Sequence, residues 1–148
     1  MNPKDILTSV ELFEGLDPGE LESLAVVCEE RVYPLNEIIT QQGEVGAELF
    51  VVFKGFVEVV RSGISTENAP RTIVHLGEGQ MFGEMALVDR GPRSATVKAA
   101  SDETRLLVIK RDDFDRICEE NHHIGYVVMR NIAADLSFKL RHHHLTGR

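Results

Sequence analysis

The chain has 148 residues, of which 43% are hydrophobic, and this suits one domain with its own core. The formal net charge of −8 disfavours nonspecific attraction to nucleic acid or to an anionic membrane, because both need a basic surface. We therefore expect no direct DNA binding. Cys28 and Cys118 lie far apart, no signal peptide is apparent, and no run approaches the roughly 20 apolar residues of a membrane span. A cytoplasmic location without a membrane span is the expectation.

The first segment, residues 1–30, has the spacing of short amphipathic helices. Its apolar residues recur at helical intervals from Ile6 to Leu16 and again from Leu21 to Val26. Asp17 and Pro18 form a helix start, since aspartate caps the first turn and proline fits its first position. The segment predicts two N-terminal helices.

The middle segment, residues 31–110, changes to short runs rich in β-branched residues, separated by glycine and polar turns. Such runs predict a mainly β fold with flanking helices, in the form of a compact antiparallel barrel or jelly roll. Residues 62–70 read as an exposed loop between strands. The predicted strands are 37–39, 49–53, 56–60, 72–76, 95–99 and 105–109.

The last segment, residues 111–148, returns to helical spacing and predicts two C-terminal helices. Asp112 and Asp113 suit a first turn, and a break is expected over residues 121–125. The final helix is apolar on more than one side. This favours either a second surface, for a ligand or another subunit, or a helix that simply packs into the roll.

One motif carries most of the chemistry and spans residues 82–97. Gly83 permits close approach of a ligand to the backbone, and residues 84–88 can form one helical turn whose first amides bind an anion. Arg93 adds a planar cation, whereas Glu84 accepts hydrogen bonds from hydroxyls and repels phosphate. The combination favours a ligand in which a sugar is fused to a phosphate. The alternative is a turn between strands with a surface arginine.

The order Phe82-Gly83-Glu84, followed at fixed distance by Pro92-Arg93-Ser94-Ala95-Thr96-Val97, closely resembles the phosphate-binding cassette of the cyclic nucleotide-binding domain. That module occurs in cAMP-dependent kinase regulatory subunits, nucleotide-gated channels and catabolite-activator-type regulators. The resemblance implies one such domain over residues 1–148, with its β-roll at 31–110 and lid helices at 111–148.

The resemblance also implies roles for individual residues. Gly83 and Glu84 would hold the ribose 2′-hydroxyl, Arg93 would pair with the phosphate, and backbone amides of the cassette would complete its binding. Apolar strand residues would line the base pocket, and the last helix would cover the base. The expected ligand-binding residues are Val74, Leu76, Phe82, Gly83, Glu84, Met85, Ala86, Arg93, Ser94, Ala95, Ile132 and Asp135; the phosphate-binding amides among them are those of Ala86, Ser94 and Ala95.

The function implied is that of a sensor which binds a cyclic nucleotide and signals to a separate protein partner in trans. The cassette alone does not distinguish adenine from guanine, because cAMP and cGMP make the same contacts with it. Ser94 is similar to the bacterial pattern, and we favour cAMP. One alternative is a cGMP-preferring sensor. The other is an assembly module that binds nucleotide weakly or not at all and forms a homodimer through its last helix.

Catalytic and metal-binding functions have little support in the sequence, and we expect no enzyme, no cofactor and no metal. The consecutive histidines His142, His143 and His144 project in different directions from a helix and do not easily share one ion. A metal-binding cupin needs several histidines on neighbouring strands, and only His75 lies in the β segment. No Gly-x-Ser-x-Gly elbow is present.

Overall fold

The structure, a computed structural model, describes residues 2–62 and 70–145, with only the backbone described for residues 70, 72, 73 and 143–145. Its N-terminal part consists of α1 (Pro3–Thr8), a short 3-10 helix (Glu11–Phe13) and α2 (Pro18–Val27). Both α-helices start with proline and a reciprocal capping box, which for α2 joins Asp17 and Glu20. The two predicted helices are confirmed.

The middle of the chain forms two four-stranded antiparallel sheets with strand orders β1-β8-β3-β6 and β2-β7-β4-β5. This confirms a mainly β fold with flanking helices. The strands of the described residues are β1 (Glu29–Tyr33), β2 (Ile38–Thr40), β3 (Glu48–Lys54), β4 (Val57–Ser62), β5 (Pro70–Leu76), β6 (Met81–Phe82), β7 (Thr96–Ala99) and β8 (Thr104–Lys110).

Strands β1 and β6 were not predicted. The sequence of β1 is mostly charged, and it becomes an edge strand through its ladder with β8, where Arg105 lies 3.0 Å from Glu30. β6 has only two residues, and its extended conformation results from its pairing with β3. In both cases the partner strand, and not local propensity, determines the extended conformation. The predicted loop at 62–70 falls mainly on residues 63–69, outside the described residues.

The core is divided by the sheet that contains β3 and β8, because these strands are buried on both faces. Along β3, Leu49 and Val51 pack with the helices, whereas Phe50 and Val52 face the second sheet. The helices on the outer face thus pack against the strands that form one wall of the interior, and the second sheet forms the other wall.

The C-terminal helices are α3 (Arg111–Glu120) and α4 (His122–Leu145). The expected break over 121–125 is limited to Asn121, which has extended backbone angles. Gly125 lies inside α4, where an added Cβ would come within 3.3 Å of the Cys118 sulfur, so its role is close helix packing. Within the described residues, no helix is both long and apolar enough to cross a membrane.

Candidate functional site

A cavity of about 310 Å³ lies between the β2-β7-β4-β5 sheet, the 82–97 segment and α4, at the lower end of the range of ligand pockets. Its lining brings together ten of the twelve residues expected at the ligand. They are Val74, Leu76, Phe82, Gly83, Glu84, Met85, Ala86, Arg93, Ser94 and Ala95. The two others, Ile132 and Asp135, are not among the lining residues.

The floor of the cavity is one row of cross-strand neighbours in the second sheet. Val97 of β7 pairs with Thr40 of β2 on one side and with Val59 of β4 on the other, and Val59 pairs with Val74 of β5. All four line the cavity. Thr40, Val59 and Val97 were missed as site residues, although alternation along each strand would have placed Val59 and Val97 on the inner face.

The cassette begins with a change of backbone direction at Gly83, which has a φ of 83°, in the left-handed region that favours glycine. It caps a short 3-10 helix, Glu84–Leu87. The Ala86 amide donates to the Gly83 carbonyl at 3.1 Å, so this amide, expected to meet a phosphate, is already engaged. The amides of Ser94 and Ala95, in contrast, have no acceptor within the described part of the chain.

The Arg93 guanidinium occupies a slot that two glycines create. A Cβ added at Gly46 would overlap the guanidinium itself, and one added at Gly83 would come within 2.6 Å of its Nη1. Its Nη2 donates to the Glu48 carbonyl at 3.2 Å, and its Cζ lies 5.7 Å from the centre of the Phe50 ring. The sequence analysis assigned Gly83 to the site but did not assign Gly46 to it.

Arg93 is a half-buried cation with unused donors. Burial lowers the pKa of Arg93, while the charges of Glu48, Glu44 and Glu84 act in the opposite direction. Arginine nevertheless stays protonated at neutral pH. Among the described residues the guanidinium makes one hydrogen bond and no ion pair within 4 Å. The remaining N–H groups are therefore available to an anion in the cavity.

Arg111 supports the cavity from behind and was missed by the sequence analysis. It is the first residue of α3, it is 9% exposed, and its Nη1 donates to the carbonyls of Gly46 and Ala86 at 3.2 Å each. It thereby ties the glycine that borders Arg93 to the short helix of the cassette. No sequence motif marks this role, since the three elements are 25 or more residues apart.

Lys139 is the residue of α4 that lines the cavity. Its Nζ lies 2.9 Å from Asp135 Oδ2 and 3.9 Å from Glu84 Oε2. The hydrogen bond to Asp135, followed by the Asp135 and Glu84 charges, raises the pKa of Lys139 despite an opposing effect of burial. Asp135 thus meets the site only through Lys139.

Ile132, which was expected at the ligand, lies in the core and is not among the residues that line the cavity. It is 3% exposed and packs in the core cluster with Ile124 and Val128 of the same helix. The spacing of four residues places these three side chains on the face of α4 that packs toward the N-terminal helices. Lys139, seven residues later, lies on nearly the same side of α4 but two turns further along the helix, where it lines the cavity.

The thiols and the histidines contribute no reactive cluster among the described residues. Burial raises the pKa of Cys28 to about 12, and burial together with Asp115 raises that of Cys118 to about 11, so both thiols stay protonated at neutral pH. No group of three or more His, Cys, Asp or Glu side chains in residues 2–62 and 70–145 is arranged to hold a metal ion.

The profile described as "Cyclic nucleotide-binding domain" matches residues 30–121, more than half of the chain. The chain belongs to the cyclic nucleotide-binding domain family. The match covers the β-roll, the cassette and α3. The family is one of regulatory, ligand-sensing domains.

Individual relatives agree with this assignment. The domain is 36% identical over 130 residues to the Cyclic AMP receptor protein of Thermus thermophilus, covering 88% of this chain and 57% of the relative. It is 32% identical over 113 residues to the cGMP-dependent protein kinase egl-4 of Caenorhabditis elegans, covering 76% of this chain and 14% of the kinase. The chain thus spans little more than half of the receptor and a small part of the kinase.

A solved structure confirms the fold in the same way. The crystal structure of the Thermus thermophilus catabolite activator protein matches with a TM-score of 0.79 at 35% identity, covering 92% of this chain and 61% of that chain. The two-sheet arrangement with flanking helices is therefore the fold of this family.

Proposed function

We propose that this domain binds a cyclic nucleotide in the described cavity, prefers cAMP and acts as a sensor. The observation that carries the proposal is Arg93, a half-buried cation between two glycines with no carboxylate partner among the described residues. A cation so placed is stabilised when an anion enters the cavity. The free amides of Ser94 and Ala95 lie in the same lining.

The cavity offers separate groups to the three parts of such a ligand. Arg93 and the two amides would bond the phosphate, Glu84 would accept from a ribose hydroxyl, and the base would lie on the valine floor beside Leu76. The charge-assisted bonds contribute about 1.5–3 kcal/mol and the neutral bonds about 1 kcal/mol each. After the cost of association this is compatible with micromolar affinity.

The preference for cAMP rests on Ser94 and on the relatives. Ser94 follows the cassette arginine, as in the bacterial pattern, and the relative named for cyclic AMP is 36% identical, compared with 32% for the kinase named for cGMP. Both relatives belong to the same family, so the base must be decided by titration.

Isothermal titration of the refolded, nucleotide-free domain with cAMP and with cGMP tests the proposal. We expect saturable binding of cAMP at micromolar affinity or tighter, weakened by roughly 10- to 150-fold in Arg93→Ala through loss of a charge-assisted bond. Arg116→Ala is the matched control, because Arg116 is exposed and pairs only locally with Asp113. Absence of heat with either nucleotide would refute binding, and a tenfold preference for cGMP would refute the choice of base.

A change in the contacts of α4 would transmit ligand binding to a partner protein. Lys139 joins this helix to Glu84 at the cavity, so a ligand that engages Glu84 changes the contacts of α4 and thereby the surface offered to a partner in trans. Hydrogen exchange measured with and without cAMP should then change in the last two turns of α4. Identical exchange in both states would contradict this route.

Self-association through α4 is the second candidate function and has its own observation. Tyr126, Ala133 and Leu140 are exposed at the seven-residue spacing of a coiled-coil position, while Met129 and Leu136 between them are partly buried against the domain's own core. A second copy of the same helix is the occupant that such a repeat matches. Sedimentation equilibrium should give a dimer that Leu140→Lys dissociates and Arg93→Ala leaves intact. A monomer at all concentrations would exclude it.

A further inference from the structure

The cavity floor contains one hydroxyl in an otherwise apolar row. Thr40 is 8% exposed and lines the cavity, and its side chain makes no hydrogen bond to any described residue. Its cross-strand neighbours along the floor are all valines. Among the described residues Arg111 Nε is the only buried side-chain polar atom without a partner, so the unpartnered Thr40 hydroxyl is open to the cavity that Thr40 lines, where a ligand can bond it.

The ladder between β2 and β7 shows which part of a ligand this hydroxyl would meet. Thr40 is opposite Val97, whereas the chain near Gly43 is opposite Arg93, to whose carbonyl the Gly43 amide donates at 2.9 Å. Val97 is two residues beyond Ala95, which corresponds to about 7 Å of strand. Thr40 therefore lies deeper along the floor than the groups that would hold a phosphate.

We infer that the Thr40 hydroxyl hydrogen-bonds the base of the bound cyclic nucleotide and thereby contributes to its recognition. The inference rests on the proposed function and extends it to the base. A purine edge carries ring nitrogen acceptors together with an amino group or a carbonyl oxygen, and a hydroxyl can donate to or accept from these groups. The described residues offer this hydroxyl no partner, so it is free to bond the base.

The isosteric substitution Thr40→Val tests the contact, because it removes the hydroxyl and keeps the volume. We expect Thr40→Val to weaken the binding of the preferred nucleotide by about 3- to 10-fold, the range of one neutral hydrogen bond, and Thr40→Ser to stay within about twofold of the unaltered domain. Thr8→Val is the control, since Thr8 is exposed and its hydroxyl bonds the Lys4 carbonyl in α1. Thermal unfolding of each variant establishes that it is folded.

A second probe separates the base from the rest of the ligand. A 3′,5′-cyclic ribose phosphate without a base, measured by displacement of labelled nucleotide, should bind the unaltered domain and Thr40→Val equally. If Thr40→Val weakened the binding of this probe as much as it weakens the binding of the nucleotide, the hydroxyl would contact the sugar or the phosphate, and the inference would be overturned. Unchanged or tighter nucleotide binding by Thr40→Val would also overturn it. Failure of the unaltered domain to bind any cyclic nucleotide would instead refute the proposed function, and the inference with it.

Discussion

Arg93 depends for its position on a residue far from it in the chain. Gly46 provides the open side of the slot, and its carbonyl is held in turn by Arg111. Gly46 does not have a positive φ, so alanine at this position is not excluded by the backbone. The requirement for glycine at this position comes from the guanidinium alone.

Gly46→Ala is therefore expected to impair ligand binding more than folding. The new methyl group would occupy the place of the Arg93 guanidinium and displace it from the cavity. We expect cAMP affinity to fall by at least tenfold in isothermal titration, comparable to the loss of a charge-assisted bond. Gly19→Ala in α2 serves as the control, because a Cβ there meets only Asp17 at an ordinary 3.4 Å. Equal affinity in both variants would mean that Arg93 does not bind the ligand from this slot.

At the scale of elements, one carboxylate joins the N-terminal helices to the junction of α3 and α4. Glu20 Oε2 lies 2.8 Å from His123 Nδ1 and accepts from Asn121 Nδ2 at 3.0 Å, while Oε1 accepts from the Asp17 amide. Burial by itself raises the pKa of Glu20, but these hydrogen bonds outweigh it and lower the pKa below its usual value.

The lowered pKa of Glu20 predicts a loss of stability in acid. A carboxyl with a depressed folded pKa stabilises the fold above its ordinary pKa of about 4.3, and this contribution disappears as the pH falls through the folded value. Denaturant unfolding between pH 7 and pH 3 should show a decline below about pH 4.3 that Glu20→Gln reduces. Glu22→Gln, an exposed carboxyl of the same helix, should keep the decline. The opposite result for the two variants would contradict the assignment.

The contact between α4 and the cavity is electrostatic and is exposed. Lys139 is the cation that α4 presents to the cavity lining of a domain with a net charge of −8. Lys139→Met should weaken the binding of an anionic nucleotide by up to about fivefold at low salt and by less at 0.5 M salt, because exposed pairs are worth about 0.2–1 kcal/mol and are screened. Lys4→Met, which removes a distant cation paired with Glu22, controls for net charge. A loss independent of salt would argue against a charge effect.

For the whole molecule, ligand binding must raise the free energy of unfolding of the domain. The cavity is formed by both the second sheet and α4, so it exists only in the folded domain, and binding shifts the folding equilibrium by mass action. At a cAMP concentration 100 times the dissociation constant the gain is about 2.7 kcal/mol, which corresponds to a rise of roughly 5–10 °C in the unfolding midpoint. Scanning calorimetry should show this rise and its loss in Arg93→Ala. A rise retained in that variant would locate binding elsewhere.

The sequence by itself determined the mainly β fold, the flanking helices and the cassette, because each depends on residues close together in the chain. Hydrophobic period and turn residues report local conformation, and the residues 82–97 form one contiguous motif. The edge strand β1 was missed because its charged residues become extended only by pairing with β8.

Only the tertiary structure decided which distant residues complete the site. Thr40 and Gly46, Arg111, and Lys139 come from three separate parts of the chain, and none of them belongs to a motif. Ile132 was expected at the ligand but packs in the core, because its part of α4 lies against the N-terminal helices, whereas Lys139 two turns later lines the cavity. The period of an amphipathic helix defines its faces, but contacts with the rest of the fold determine which turn of the helix meets the cavity.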